Sequence, residues 1–189
     1  DALIRAGHRE IGVIAGNTQL QTGRERVNGY REAMQKNGLP LREPYLLTGT
    51  FDQQEAYRRV RELMDTAERP TAFFIANNHS EIGFLNAIRD AKRTIPEDVA
   101  FVGFDELPGQ MIFGLPFSCL DREVTQLGAK AARLLVRRFE EPSRPAERMV
   151  VVRRLSLRGS EKYPDHLSGV REEPSSVQET LLDRRFGAL

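Results

Sequence analysis

The chain has no tryptophan, a single cysteine and a formal net charge of only +1 in 189 residues. Each scarcity excludes something. A lone thiol, Cys119, cannot close an internal disulfide, and its place in the apolar run from Phe117 to Leu120 reads as a small buried hydrophobe. With 28 basic against 27 acidic side chains, no long-range field gathers a polyanion, so nothing here binds DNA by charge alone. The basic pairs Arg137 with Arg138, Arg153 with Arg154 and Arg184 with Arg185 read as solvated surface. No stretch approaches the roughly 18 consecutive apolar residues of a membrane helix. The opening, Asp1 to His8, lacks the basic-then-apolar order of a secretory leader. A cytoplasmic protein with no membrane contact is therefore expected, with the proviso that a chain opening on Asp1 rather than Met has lost what preceded it.

Catalytic signatures are missing too. There is no G-x-x-x-x-G-K-[ST] phosphate loop, no G-x-G-x-x-G and no G-x-S-x-G, and His8, His79 and His166 do not stand at metal-ligand spacing. Neither an enzyme nor a cofactor is expected.

What is present is alternation. At 40% hydrophobic residues the chain can bury one good core, with an appendage rather than a second full domain. Short apolar runs alternate with amphipathic stretches to about residue 158, the written form of βα units and a parallel sheet flanked by helices, an α/β class. Ile11 to Ala15, Tyr45 to Thr48, Ala72 to Ile75 and Val99 to Gly103 read as strands. The helix after the loop Gly16 to Gly23 puts Val27, Tyr30 and Met34 on one face and stops at Gly38 and Pro40. The next runs from about Asp52 to Met64, with Thr50 and Gln53 spaced as a capping box and Tyr57, Val60 and Met64 inward. A third helix, Ser80 to Asp90, turns Ile82, Leu85 and Ile88 inward. Thr125 to Phe139 is a further helix with Leu127, Ala131, Leu134 and Leu135 as its stripe, followed by two short strands, Met149 to Val152 and Arg154 to Leu157. From Ser160 to Leu189 polar residues dominate and a loose tail is expected, with a short helix near Val177 to Phe186. The division is thus residues 1–159 and 160–189.

An open parallel sheet binds ligands beyond the carboxyl ends of its strands, so the residues just after each strand are the candidates. These are Arg24 and Arg26 after the first strand, Phe51 after the second, Asn77 and Asn78 after the third, and Asp105 and Glu106 after the fourth. An arginine fork and a carboxylate each grip neighbouring hydroxyls, an asparagine both donates and accepts, and an aromatic ring packs on the apolar face of a sugar or base. Each also has a plainer reading: Asn77 as a helix cap, Asp105 as a turn residue, Arg26 as an exposed charge, Phe51 as a core aromatic. Taken together, Arg26, Phe51, Asn77 and Asp105 point to one small-molecule site. Asp105 and Glu106 would face opposite sides of a continuing strand, a poor arrangement for acid/base work.

The same positions carry a family likeness. Gly7-His8-Arg9-Glu10-Ile11-Gly12-Val13-Ile14-Ala15-Gly16, Arg24-Glu25-Arg26-Val27-Asn28-Gly29-Tyr30, Ala76-Asn77-Asn78 and the run Ile95 to Asp105 resemble, in order and spacing, the effector domain of LacI/GalR transcription regulators over about residues 1 to 159. The resemblance implies a periplasmic-binding-protein-like fold of two lobes with a small effector, commonly a sugar or nucleobase, in the cleft. It implies effector contacts from Arg26, Asn77 and Asp105, with Phe51 lining the pocket. It gives Asp121 and Arg122 to a crossing between lobes, and the helix Ser80 to Asp90 to a homodimer contact. The sequence departs from the family in having Asn78 where Asp is usual and Lys92 near a common glycine. The resemblance further implies that the helix-turn-helix head, hinge helix and most of the first lobe precede Asp1, so that operator DNA is reached only through that missing head. Ser118 to Phe139 would then have lost its neighbours and show an apolar face. A ligand-gated repressor is the expected function; a solute-binding protein of a sugar transporter shares the fold and is the alternative.

Overall fold

The computed structural model describes residues 1–49, 52–107, 117–121 and 124–163. One sheet organises them. Its strands are β1 (Ile11–Gly16), β2 (Leu46–Thr48), β3 (Ala72–Ile75), β4 (Ala100–Phe104), β5 (Cys119–Asp121) and β6 (Arg154–Ser156), in the spatial order β2-β1-β3-β4-β5-β6. The first five run parallel and β6 returns antiparallel along β5, with Leu120 opposite Leu155. Because the chain runs outward from β1 in both directions, the sheet reverses its winding between β1 and β3, the place where open α/β sheets leave a crevice.

Alternation along the central strands divides the core between two faces. Ile14, Phe73, Ile75 and Phe101 meet Val60, Leu63 and Met64 of α3 (Gln53–Met64) and Phe84, Ala87 and Ile88 of α4 (Asn78–Asp90). On the opposite face Ile11, Val13, Ala15 and Val102 meet Leu3 and Ile4 of α1 (Ala2–Arg5) and Val27, Tyr30 and Met34 of α2 (Gln21–Lys36). Phe84 sits between Phe73 and Phe101, with ring centroids 5.2 and 5.1 Å away, so an aromatic row ties α4 to the sheet.

Several local expectations need correcting. The inward stripe of α4 is Phe84, Ala87 and Ile88 rather than one through Ile82, which is 38% exposed. The cap of α3 is Asp52, whose carboxylate accepts from the Gln54 amide at 2.9 Å; a carboxylate one residue before the helix does the work expected of Thr50, which lies outside the described residues. Tyr45 belongs to a single 3-10 turn started by Pro44, so β2 begins at Leu46. Residues 149–152 form no strand; Val152 is 90% exposed, and only Arg154–Ser156 finds a partner in β5. Lys92 takes φ +55°, the left-handed conformation for which glycine is the usual choice.

The chain also stays packed beyond Ser160, where the text turns polar. The Ser160 hydroxyl donates to the Phe101 carbonyl at 2.8 Å and accepts from the Ser118 amide at 2.8 Å, while Glu161 accepts from the Ser118 hydroxyl. Buried His8 reaches the carbonyls of Glu161 and Lys162, and its ring lies 4.9 Å from that of Tyr163. Burial is the main cause holding His8 below its ordinary pKa, so it is neutral at pH 7 and serves as a hydrogen-bonded brace. The expected helix near Val177 to Phe186 lies outside the described residues.

α5 (Val124–Glu140) is the exception to this packing. It has no buried residue, and Leu135, Val136 and Phe139 stand open, Phe139 at 76% exposure. No described helix is long and apolar enough to cross a membrane.

Candidate functional site

β4 ends at Phe104, and the next residue turns sharply. Asp105 has φ +73°, a region non-glycine residues rarely occupy and Asp tolerates better than most. Its amide still donates to the Leu120 carbonyl at 3.1 Å, so the backbone is pinned to β5 while the side chain leaves the strand's alternation. That carboxylate accepts from the Arg153 guanidinium at 2.7 Å. The same guanidinium lies 3.9 Å from the centre of the Phe104 ring. Arg26, on the second turn of α2, brings its own guanidinium to 4.5 Å from that ring. Two cations and a carboxylate thus gather about one aromatic at the carboxyl end of β4. Phe74 meets the Phe104 ring edge-on at 6.5 Å and supports it from the sheet.

The field within this cluster is uneven. Arg26 is held below its usual pKa, first by burial and then by the positive charge of Arg153, with Asp105 pulling the other way. Arg24, two residues earlier, does different work: its guanidinium donates to the carbonyls of Thr18 (3.2 Å) and Gln19 (2.7 Å) and braces the loop between β1 and α2.

Asn77 follows β3 by two residues and caps α4. Its side-chain oxygen accepts from the Ser80 amide at 3.0 Å and its side-chain nitrogen donates to the Ser80 hydroxyl at 2.9 Å. The cap reading therefore holds, and it leaves one amide hydrogen and one oxygen lone pair of Asn77 for other partners. Arg26 and Asp105 are brought together; Phe51 lies outside the described residues, as does Arg122, and Asp121 closes β5 opposite Arg154 in the ladder. Glu106 pairs instead with Arg158.

Two residues of the cluster are absent from the expected set. Phe104 was hidden as the last residue of a strand. Arg153 read as half of a solvated basic pair, and the structure corrects this: β6 folds back along β5 and delivers it to Asp105. Only the long-range pairing could have revealed it.

Beneath the cluster lies a second oddity. Glu81, in the first turn of α4, is 1% exposed, and its carboxylate makes no well-formed hydrogen bond, the Phe104 amide approaching it only loosely. It fits because Gly103 opposite has no side chain; a Cβ there would stand 2.4 Å from Glu81 Oε2. Burial pushes its pKa up to about 8, the Phe104 amide opposing and the Asp105 charge adding to the rise. Glu81 is thus protonated at neutral pH. Cys119, on the neighbouring strand, is also buried and its thiol pushed upward, as expected of a packing residue.

A cavity of about 400 Å³ runs from Asp1 and Leu3 under α2 to Arg26 and Phe104, with Phe74, Val102, Leu120 and Leu155 along its floor. Its wall is almost wholly apolar and offers little to sort hydroxyls, so the polar rim, not this cavity, is the better candidate for recognition. Among the described residues no group of His, Cys, Asp or Glu side chains could hold a metal ion.

Residues 1–161 match the family described as periplasmic binding protein-like domain. The chain belongs to this family. As a periplasmic binding protein-like domain it is similar to the HTH-type transcriptional repressor PurR of Pasteurella multocida (strain Pm70), 30% identical over 149 residues, which are 79% of this chain and 44% of that repressor. Its fold matches a regulatory protein of the LacI family from Chloroflexus aggregans with a TM-score of 0.76 at 31% identity, covering 84% of this chain and 57% of that one. It also matches the transcriptional regulator CelR in complex with cellobiose, with a TM-score of 0.74 at 34% identity, over 84% of this chain and 48% of that one. Within the periplasmic binding protein-like family the chain is of the LacI/GalR regulator type, as its motifs implied. The solute-transport alternative is set aside, since these relatives are transcription regulators. The chain spans under half the length of that repressor.

Proposed function

We propose that the chain is the ligand-sensing part of a bacterial transcriptional repressor, in which a small effector, a sugar or a nucleobase-like molecule, controls DNA binding by an N-terminal helix-turn-helix. The observation that carries this reading is the meeting of Arg26 and Asp105, distant in sequence, around the Phe104 ring at the carboxyl end of β4. We assign to the same site Asn77, two residues past β3, and, on its place in the sequence alone, Phe51. The guanidinium and carboxylate hold hydroxyl or ring-nitrogen groups, and the aromatic rings take the flat apolar face of the ligand. No catalytic step, cofactor or metal is invoked.

An effector acts only through its different affinity for two arrangements of the protein. Bound at the rim of this sheet it would favour one angle between lobes and so reset the spacing of paired DNA-binding heads in a cytoplasmic homodimer. The test is replacement of Arg26 or Asp105 by alanine in the complete regulator, with effector affinity measured by calorimetry after a thermal-shift screen of sugars, nucleosides and amino acids. Losing a charge-assisted hydrogen bond in a closed site should weaken binding by about tenfold to a hundredfold. Unchanged affinity in both variants would refute the site.

A further inference from the structure

One residue outside the assigned set touches both chain segments that carry Asn77 and Asp105. Glu81 stands in the first turn of α4, where its amide donates to the Asn77 carbonyl at 3.0 Å. Asn77 therefore caps the helix with its side chain and closes the first turn through Glu81. On the other side the Glu81 carboxyl lies against the backbone of Gly103, where an added Cβ would stand 2.4 Å from Oε2. Gly103 precedes Asp105 by two residues, and Asp105 holds the φ of +73° at which its carboxylate meets Arg153. Glu81 is thus a wedge, almost wholly buried, between the start of α4 and the last residues of β4. The titratable and charged groups that face it are Asp105, from the end of β4, and the Cys119 thiol, from β5. Past Cys119 stand Asp121 and the pair of Glu106 with Arg158. On its own turn Asn78 and Ser80 carry no charge.

From this geometry we infer that Glu81 is a positioning residue of the effector site: its carboxyl sets the distance between the end of β4, which carries Asp105, and the helix start that Asn77 caps. The inference rests on the effector-site reading above and adds to it a residue that touches no ligand. A protonated carboxyl fills the space over Gly103 without a counter-charge. An ionised one cannot stay there dry, because a buried carboxylate with no well-formed hydrogen bond must take up water or a donor. Water enters if the first turn of α4 lifts from Gly103, which carries Asn77 away from Asp105, and the charge of Asp105 pushes the same way. Burial brings this change within ordinary pH, since the Glu81 pKa is pushed up to about 8. Ligand binding at the rim is therefore linked to one proton and weakens on the alkaline side of that value.

The experiment compares the complete regulator with two variants, Glu81→Gln, which keeps the shape and cannot ionise, and Glu81→Met, which keeps the length should the amide fit poorly. Cys119 is common to all three proteins, so its own titration cancels. Backbone hydrogen exchange is read by mass spectrometry at pH 7, where about nine in ten Glu81 carboxyls hold their proton, and at pH 9, where about one in ten does. Normalised to pH 7, segments 77–81 and 103–105 should exchange about threefold or more faster at pH 9 in the parent than in either variant. Equal normalised rates overturn the positioning role and leave the effector site standing. Calorimetry with cellobiose and with adenosine then asks whether the link reaches the ligand. From pH 7 to pH 9 the parent's affinity for the probe it binds should fall by up to about tenfold, while that of the variants holds. A fall shared equally by parent and variants overturns the inference. A constant parent affinity beside a clear exchange difference means that the ligand does not sit on Asn77 and Asp105; the effector-site reading then falls, and the inference with it. If neither probe binds the parent at pH 7, the reading of the rim as a sugar or nucleoside site falls in the same way.

Discussion

Glu81 is a charge the fold refuses to carry. In the unfolded chain its carboxyl ionises near 4.5, and in the folded state near 8. Between those values the folded protein holds a proton the unfolded chain has released, so stability falls as pH rises. The slope should be on the order of 1.4 kcal/mol per pH unit, with no contribution from this group below or above the window. Glu81→Gln, of nearly the same shape, removes the titration. Urea midpoints from pH 4 to 9 should therefore show the variant gaining on the parent steadily from about pH 5 to pH 8. Parallel curves for the two proteins would mean that Glu81 is ionised and satisfied in the native state. Nothing in the sequence marks this residue, because an acid in the first turn of a helix is normally a favourable surface choice. Its burial depends on Gly103, a residue on another element, having no side chain.

At the level of elements, α3 and α4 approach so closely that Gly83 decides their spacing. A Cβ at Gly83 would stand 2.3 Å from the Gln53 carbonyl oxygen and 3.0 Å from the Ala56 Cβ. Helix propensity alone makes Gly83→Ala stabilising by about 1 kcal/mol. Packing argues the reverse, since a backbone carbonyl at a helix start cannot swing aside as a side chain can, and overpacking costs about 1–3 kcal/mol. The expected outcome is a net loss of stability on chemical denaturation; a gain would show that the helices separate freely. The same pair of helices shows what the text reveals and what it withholds. The strand Ala72–Ile75 was legible to the residue, because a buried parallel strand writes itself as a short apolar run between turn residues. The stripe of α4 was misread because small residues, Gly83 and Ala87, face the partner helix and the sheet where large aliphatics were expected, leaving Ile82 outward. Asn77 and Asp105 could be placed at strand ends from spacing alone. Arg153 could not, since its position depends on a hairpin between β5 and β6 closed across a long intervening helix.

Over the whole molecule, the described residues divide into a sheet covered on both faces and a helix that covers nothing. α5 is strongly amphipathic by its sequence, with Leu127, Leu135, Val136 and Phe139 exposed together with Val124. Helices of this length gain most of their stability from burying such a face rather than from propensity, so an isolated α5 should fray or find a partner. In water the available partner for the 189-residue chain is another copy of itself, and an apolar stripe of this kind favours association. Sedimentation velocity over a concentration series should show a weight-average mass that rises with concentration, accompanied by binding of an apolar-patch dye. Placing charges on the stripe with Val136→Lys and Phe139→Glu should return the chain to a monomer while leaving the unfolding of the sheet core unchanged, because neither residue touches that core. A clean monomer with no dye signal in the parent chain would mean that α5 is already covered, and the reading of its apolar face as an unfilled contact would have to be abandoned.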